Sequence, residues 1–169
     1  TLKLKTGADL SNLTDVDVAT GSNFDLNGVS VAIDGLSGAG SVKLGAATLT
    51  LGSNDQATAT HTGAITGSGN LTKNGTGTQT LSNASYGGNT TVNNGILVTD
   101  SSTDLSGDVS VDSGAKWQVD VADTVGVLAA NGIVEANQDL TTSSFSGTSG
   151  DIQVASGKTF ETANGTYSG

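Results

Sequence analysis

Residues 63–98 read GAITGSGNLTKNGTGTQTLSNASYGGNTTVNNGILV, and this stretch decides the fold. Short runs in which Thr alternates with apolar residues are separated by Gly, Asn-Gly and Gly-Gly. The runs are too short for helices, and alternation with a period of two is typical of β-strands bounded by turns. The spacing therefore predicts a series of short strands that stack on one another and do not form a simple hairpin.

The same pattern of strands and turns occurs earlier in the chain. Residues 36–42 align with residues 65–71, and after one inserted residue the segment 48–51 aligns with 78–81. Repeats whose length drifts are typical of a solenoid, in which coils stack and insertions are accommodated at the corners. The sequence therefore predicts a β-solenoid built from inexact coils.

Three segments carry a family resemblance: ITGSGNLTK at 65–73, GTGTQTLS at 75–82, and Y-x-G-x-T-x-V-x-x-G-x-L at 86–97. Together they resemble the passenger-associated transport repeat of autotransporter passenger domains. Residues 24–42 look like another coil of the same kind. The chain departs from the family pattern between Leu81 and Tyr86, which is one residue short, and at Ser85, where Asn is common.

The resemblance implies an all-β fold, a right-handed parallel β-helix that forms a single elongated domain over residues 1–169, with the clearest repeats at 24–98. It also implies a structural stem or adhesin segment of a secreted bacterial surface protein, located at the cell surface or outside the cell. The expected partners are proteins or glycans of host or bacterial surfaces, together with self-association. A signal peptide and a C-terminal barrel are expected elsewhere in the precursor, and any membrane contact would be made through that barrel.

Composition agrees with a narrow coil. Small aliphatic residues dominate the apolar part of the chain, and aromatic residues make up only 4% of it. Stacked aliphatic side chains fill a thin tube with less bulk than a globular sandwich needs. Because each coil adds one strand spacing of about 4.8 Å, about seven or eight coils would form a rod of roughly 35–40 Å.

Glycine occurs 25 times and proline never. Glycine suits corners that need left-handed backbone, whereas proline would remove a hydrogen-bond donor from strands paired on both sides. Five Asn-Gly pairs predict further corners, at Asn27, Asn74, Asn94, Asn131 and Asn164. The high Gly, Ser, Thr and Asn content leaves disorder as an alternative, and the regular alternation over residues 24–33 argues against it.

Charge and cysteine content exclude several classes of protein. The net charge is −10, and the six basic residues are all Lys. Nucleic-acid binding needs clustered cations to contact phosphates, so we expect no nucleic-acid partner. The absence of cysteine excludes disulfide scaffolds and thiolate metal sites, and it suits a chain that crosses an envelope unfolded.

His61 is the only histidine, which allows a Ser-His-Asp triad but excludes a histidine metal cluster. Alternation places it on the face opposite Thr60 and Thr62, and we interpret it as a solvated strand position. Residues 147–150, GTSG, are faintly similar to a serine-protease nucleophile loop, but Asp151 follows where that loop has Gly. We interpret this segment as a turn.

Carboxylate pairs are the candidates for an alternative function, because parallel β-helices also host polysaccharide lyases and hydrolases. Asp15 and Asp17 would project from one face of a strand about 6–7 Å apart, a separation that suits acid and base catalysis. The other candidate pairs are Asp120 with Asp123 and Asp108 with Asp112. We interpret all three pairs as solvated surface, with weak calcium binding or catalysis as alternatives, because no Arg is present to bind an anionic sugar.

Two further patterns are open to more than one interpretation. Thr-x-Thr pairs at 48/50, 58/60, 60/62 and 78/80 would order water, as in ice-binding β-solenoids, if they stacked in one flat column. Asn-x-Ser/Thr sequons, which suggest glycosylation, begin at Asn12, Asn70, Asn74, Asn83, Asn89 and Asn164. Thr is also a common strand residue, and chance produces sequons in such a composition. We therefore predict a stem or adhesin with no catalytic residue, no metal site and no cofactor, and we keep the carbohydrate-active enzyme and the ice-binding protein as alternatives.

Overall fold

The structure, a computed structural model, describes residues 1–10, 14–55, 58–163 and 165–169. The strands fall into three sheets, numbered here in the order in which the chain first enters them. Sheet 1 contains β1 (Leu2–Lys3), β3 (Asn23–Asp25), β6 (Ser41–Gly45), β9 (Ile65–Gly67), β12 (Ala84–Tyr86) and β15 (Asp104–Leu105). Sheet 2 contains β2 (Val16–Val18), β5 (Leu36–Gly38), β8 (Thr58–His61), β11 (Thr78–Leu81), β14 (Ile96–Thr99), β17 (Lys116–Val119), β19 (Ile133–Ala136) and β21 (Asp151–Val154). Sheet 3 contains β4 (Val31–Ala32), β7 (Thr48–Leu51), β10 (Asn70–Lys73), β13 (Thr90–Val92), β16 (Val109–Val111), β18 (Asp123–Ala130), β20 (Leu140–Ser146), β22 (Thr159–Thr162) and β23 (Gly165–Ser168).

From β3 to β15 each coil visits the three sheets in the order 1, 3, 2. Each strand pairs in parallel with the strand one coil later, as in the pairs Leu71↔Thr90 and Thr78↔Ile96. The winding makes about eight turns, and no helix occurs among the described residues. The prediction of an all-β parallel solenoid is confirmed.

The coils have a shorter period than the sequence alignment indicated. Leu36 lies in sheet 2 and Ile65 in sheet 1, so the alignment of residues 36–42 with 65–71 matches strands of different sheets. Ile65 pairs instead with Val42 of the preceding coil and with Ala84 of the following coil. The alignment was wrong about the coil because every sheet uses the same short pattern of alternating strand and glycine turn.

Inward side chains form columns along the solenoid axis. In sheet 3, one column runs through Leu49, Leu71, Thr90, Val109 and Leu128. All five are buried, and full burial of each aliphatic side chain contributes about 1.5–3 kcal/mol. The core is the stack of aliphatic residues that the composition predicted.

Sheet 1 ends at β15, where the coil changes shape. In the next coil the chain enters β18 directly, and this strand of eight residues pairs with β16 through Leu128 and with β20 through Asp123. Residues 124–132 could form a short helix, but their length and their Gly ends predict a buried strand followed by a turn. β18 confirms the strand. The last strand, β23, runs antiparallel to β22.

Two kinds of corner use glycine for different physical reasons. Between sheets 3 and 2, Gly75 and Gly95 have φ of 66°, the left-handed backbone that the sequence predicted. Between sheets 1 and 3, Gly88 and Gly107 are required by close approach. A Cβ on Gly88 would lie 2.0 Å from the carbonyl oxygen of Gly69, and one on Gly107 would lie 2.1 Å from that of Gly88.

Candidate functional surfaces

The outward face of sheet 3 carries a column of small, uncharged side chains. One register column contains Thr50, Thr72, Thr91, Ser110 and Ala129, which are all partly exposed. Its first four members carry hydroxyl groups, one per strand spacing of about 4.8 Å, and these can donate and accept hydrogen bonds in a regular row. On a chain with a net charge of −10, this column offers a contact surface without charge repulsion.

The outward face of sheet 2 is more varied. Thr58 pairs with Thr78 and Thr60 with Thr80, but the next strand places Ile96 and Val98 in these positions. Further along, Lys116 forms an ion pair with Glu135. The threonine array is therefore limited to two coils of this sheet.

Of the two remaining pairs, Thr60 and Thr62 extend past the end of β8. Thr48 and Thr50 lie on sheet 3, where Thr48 is registered with Asn70. The four Thr-x-Thr pairs do not form one flat column. The sequence alone could not show how the pairs are arranged, because the strand pattern does not indicate the sheet to which each strand belongs. The ice-binding alternative required these four pairs to stack in one flat column, and they do not.

A ladder of polar side chains runs along the corner between sheets 1 and 3. Asn70 Oδ1 accepts the backbone N–H of Asn89 at 2.8 Å, and Asn89 Oδ1 accepts that of Asp108 at 3.2 Å. Asp108 Oδ1 then accepts the N–H of Val127 at 2.8 Å. The ladder joins four successive coils, and each of its first three residues directly follows one of the evenly spaced glycines 69, 88 and 107. This even spacing is a signal that the sequence analysis missed.

The ladder decides the role of one candidate pair. Asp108 and Asp112 lie at opposite ends of β16, and the carboxylate of Asp108 is engaged with backbone in the next coil. Both residues are exposed, as predicted. The structure does not bring their carboxylates together as an acid and base.

Asp15 and Asp17 are both exposed and flank Val16 at the start of the solenoid. Asp15 Oδ1 accepts the backbone N–H of Gly35 at 2.9 Å, and Asp17 Oδ2 accepts the hydroxyl of Ser37 at 2.9 Å. Both carboxylates therefore tie the first coil to the second. The prediction that they lie on the surface is confirmed, and their bonds are structural.

Asp120 and Asp123 have different surroundings. Asp120 is partly exposed and accepts hydrogen bonds from Gln118 Nε2 and Asn137 Nδ2, both at 2.7 Å. Asp123 is only 6% exposed, and its carboxylate accepts the backbone N–H groups of Leu105 at 3.2 Å and Thr124 at 2.8 Å. The prediction of a solvated surface was wrong for Asp123.

Asp123 was misassigned because the coil changes shape at that residue. Its carboxylate takes the position that the next strand of sheet 1 would occupy, so it is enclosed instead of solvated. Burial raises the pKa of Asp123 to about 6, against the opposing effect of the two backbone N–H groups. Asp123 lines a shallow depression on the surface together with Asp104 and Asp139, whose carboxylates supply further negative charge.

His61 is fully buried, so its assignment as a solvated position was also wrong. Its Nδ1 lies 3.1 Å from the carbonyl oxygen of Ser37, and within the described residues Nε2 has no hydrogen-bond partner. Burial lowers the pKa of His61, which favours a neutral ring with its proton on Nδ1. Alternation separated His61 from Thr60 and Thr62 correctly, but it did not show which face was the inner one.

No Ser-His-Asp triad can form with residues 147–150. His61 lies in β8, whereas these residues precede β21, which is five strand spacings away, about 24 Å. Ser149 donates its hydroxyl hydrogen to the carbonyl oxygen of Asn131 at 3.3 Å. The segment is exposed and lies in the connection between β20 and β21, where Thr148 and Ser149 form a bend.

A buried cation that the sequence analysis missed lies at the corner between sheets 3 and 2. Lys73 is 2% exposed, and its ammonium donates to the carbonyl oxygens of Asn74, Gly75 at 3.0 Å and Asn94 at 3.4 Å. Burial lowers the pKa of Lys73 against the attraction of Asp55 and Asp34. The sequence contained a signal for this burial. Lys73 lies two residues after Leu71 in an alternating strand, so the two side chains share a face, and Leu71 points inward.

The described sequons differ in how far their amides are engaged. Asn70 and Asn89 belong to the corner ladder, and Asn74 Oδ1 accepts a hydrogen bond from Asn93 at 2.8 Å. Asn83 is exposed. Asn12 and Asn164 lie outside the described residues.

Neither a metal centre nor a membrane helix is found in the part of the chain that the structure describes. No group of three or more His, Cys, Asp or Glu side chains is arranged there to hold a metal ion. Over the same residues, no helix has the length and apolar character needed to cross a bilayer.

Two comparisons with known proteins bear on function. Residues 71–98 match the model of the passenger-associated-transport-repeat, and in the structure they run from β10 to β14, which is more than one coil. The chain is also 47% identical over 85 residues to a protein of Brucella suis biovar 1 (strain 1330) described as "Adhesin BmaC autotransporter". That similarity covers 47% of this chain but only 2% of the relative. No solved structure gives a significant match.

Proposed function

We propose that the chain is a segment of an autotransporter passenger domain, located at the cell surface or outside the cell, and that it is a rigid stem whose outer faces serve in attachment. The partners in this proposal are proteins or glycans of host or bacterial surfaces, including neighbouring copies of the same protein. The proposal treats residues 1–169 as one domain.

The observation that carries the stem is the continuity of the parallel ladders. Sheet 2 alone joins eight strands, one from almost every coil, without a break in the described residues. Backbone hydrogen bonds in all three sheets, the axial side-chain columns and the ladder at Asn70, Asn89 and Asp108 resist bending in different directions. About eight coils at about 4.8 Å each give a rod about 40 Å long.

The adhesive part of the proposal is supported by the outward face of sheet 3 and by the name of the similar protein. Hydroxyls in register can bond to sugar hydroxyls or to polar protein surfaces, and the column from Thr50 to Ala129 carries no charge. Weak contacts repeated along a rod add up when they are made simultaneously.

Catalysis is not proposed. Five of the six candidate carboxylates, all except that of Asp112, accept backbone or side-chain donors that join coils. The similarity to an adhesin suggests a structural role without enzymatic activity. Activity on a polyuronate that disappears in Asp15→Asn would reverse this judgement.

A test uses the full-length protein displayed on bacterial cells. In one variant Thr72→Lys and Ser110→Lys place charged side chains on the sheet 3 column, and in the matched control Thr60→Lys and Thr80→Lys do so on sheet 2. Attachment to host cells, matrix proteins and immobilised glycans is measured together with cell-to-cell aggregation. We expect the sheet 3 variant to lose one of these activities and the control to keep it. If both variants attach like the unmodified protein, this segment is a spacer and the adhesive part of the proposal is wrong.

A further inference from the structure

We propose that Asn94 is a site of spontaneous deamidation in the folded protein. Asn94-Gly95 forms part of the corner between sheets 3 and 2, and it is one of four Asn-Gly pairs in the described residues. The structure restrains the other three pairs and leaves this one free. The proposal concerns chemical modification, so it does not depend on the role of the segment in attachment.

The reaction needs only water and the chain itself. The backbone nitrogen of the glycine attacks Cγ of the asparagine and forms a C–N bond. The bond from Cγ to the side-chain nitrogen breaks, and this nitrogen takes up the proton lost by the glycine nitrogen and leaves as ammonia. The product is a five-membered succinimide. Water then opens this ring at either carbonyl carbon, which leaves aspartate or isoaspartate. An unhindered glycine nitrogen and a side-chain amide that is free to rotate are the two requirements.

Asn131-Gly132 fails both requirements. Asn131 Oδ1 accepts the backbone N–H of Thr148 at 3.2 Å and its hydroxyl at 3.4 Å. The N–H of Gly132 donates to the carbonyl oxygen of Val111 at 3.0 Å. Both reacting groups are therefore fixed, and reaction requires local opening of the coil.

The other two pairs have restrained side chains. Asn74 Oδ1 accepts a hydrogen bond from Asn93 Nδ2 at 2.8 Å, within a corner that encloses the Lys73 ammonium. Asn27 Nδ2 donates to the carbonyl oxygen of Leu4 at 3.0 Å. Each amide must break this bond before Cγ can turn toward the glycine nitrogen.

Asn94 differs from these three residues. It is exposed, and within the described residues neither its side-chain amide nor the N–H of Gly95 has a hydrogen-bond partner. Only its carbonyl oxygen is engaged, with the Lys73 ammonium at 3.4 Å. Both requirements of the reaction are met without opening the coil.

The two products should affect the corner differently. Aspartate adds a negative charge near the Lys73 ammonium and leaves the backbone unchanged. Isoaspartate inserts a methylene into the backbone next to Gly95. This corner has little room, since a Cβ added to Gly95 would lie 2.5 Å from the carbonyl oxygen of Gly75. We therefore expect the isoaspartate form to be less stable than the aspartate form.

The test incubates the purified protein in mildly alkaline buffer, both folded and in guanidinium chloride, and follows each asparagine by peptide mass spectrometry that separates aspartate from isoaspartate. In the folded protein we expect Asn94 to react roughly tenfold or more faster than Asn131, because Asn131 must wait for local opening. In guanidinium chloride the pairs at Asn27, Asn74, Asn94 and Asn131 should react at similar rates.

Asn94→Gln is the matched control, since glutamine forms the corresponding ring far more slowly; it should abolish the early product. The proposal is overturned if Asn94 reacts no faster than Asn131 in the folded protein. It is also overturned if the same preference for Asn94 persists in guanidinium chloride, because the local sequence and not the fold would then set the rate.

Discussion

The carboxylate of Asp123 accepts the backbone N–H of Leu105, so a side chain replaces a neighbouring strand at the end of sheet 1. In earlier coils the equivalent N–H groups face the next strand of the sheet. Because the carboxylate takes the place of a strand, the coil can change shape between β15 and β18 without leaving the buried N–H of Leu105 unpaired.

Replacing Asp123 by Asn should stabilise the protein at neutral pH. The pKa of Asp123 is raised from 3.8 to about 6 in the folded protein, so the folded state binds its proton more tightly than the unfolded state. The resulting stability is fully present below about pH 4 and is lost as the pH rises through about 6. Asn keeps an acceptor for Leu105 without the buried charge, and a gain of about 1–3 kcal/mol is expected at neutral pH.

Urea unfolding across this pH range measures the effect, with Asp112→Asn, an exposed position, as the control. The Asp123→Asn protein should be more stable than the parent above pH 6 and lose the advantage near pH 4. A constant difference between the two proteins at all pH values would contradict the assignment.

His61 should give a pH dependence of the opposite sign. Its pKa is lowered by burial, so between the folded value and 6.5 the unfolded state binds more protons than the folded state. Stability therefore falls as the pH drops below 6.5. His61→Leu, which places in β8 the same residue as its neighbour Leu81 in β11, should remove this loss.

The measurement is the difference in unfolding free energy between His61→Leu and the parent at several pH values. The difference should grow in favour of Leu as the pH falls. If it does not change with pH, His61 is not held neutral in the core.

Gly88→Ala should be strongly destabilising. The new Cβ would lie 2.0 Å from the carbonyl oxygen of Gly69, so the two coils must move apart, at a cost of about 3 kcal/mol or more. Gly87→Ala is a matched control one residue away, because a Cβ on Gly87 meets nothing within 4 Å. It should change stability by no more than about 0.5 kcal/mol. Equal effects of the two substitutions on thermal unfolding would argue against the close stacking of this corner.

Lys73→Met should lower stability by about 1–3 kcal/mol, because it leaves partly buried carbonyl groups without their donor. The hydrocarbon part of the side chain is retained, so the change isolates the ammonium. Lys43→Met on the exposed face of sheet 1 is the control and should have little effect. Chemical unfolding compares the two variants, and a Lys73→Met protein as stable as the parent would show that the ammonium is not enclosed.

The sequence predicted the fold because alternating short strands and glycine turns leave few architectures open. It identified the strand that became β18, and it placed Asp15 and Asp17 on the surface. It failed for His61 because alternation divides a strand into two faces without showing which one is inside. Both sides of a polar, threonine-rich strand look alike until the partner coil is known. It failed for Asp123 because the coil changes shape at that residue.

The coil length predicted from the sequence alignment was also wrong, and the error has a physical cause. Strands of all three sheets share the same pattern, so alignment matched residues 36–42 to a strand of another sheet. The evenly spaced glycines 69, 88 and 107, each followed by Asn or Asp, held the true period of these coils. Glycine recurs at this corner because the backbone of one coil approaches the next so closely that a Cβ has no room.

The most direct test of stacked coils is a series of distances along sheet 3. The chain has no cysteine, so spin labels can be attached to pairs of introduced cysteines at Thr50 with Ser110, Thr50 with Ala129, and Thr50 with Ser146. These partners lie three, four and five strand spacings from Thr50. The measured distance should increase by about 4.8 Å at each step. Distances that stay constant or change irregularly along the series would show that the strands are not stacked along one axis.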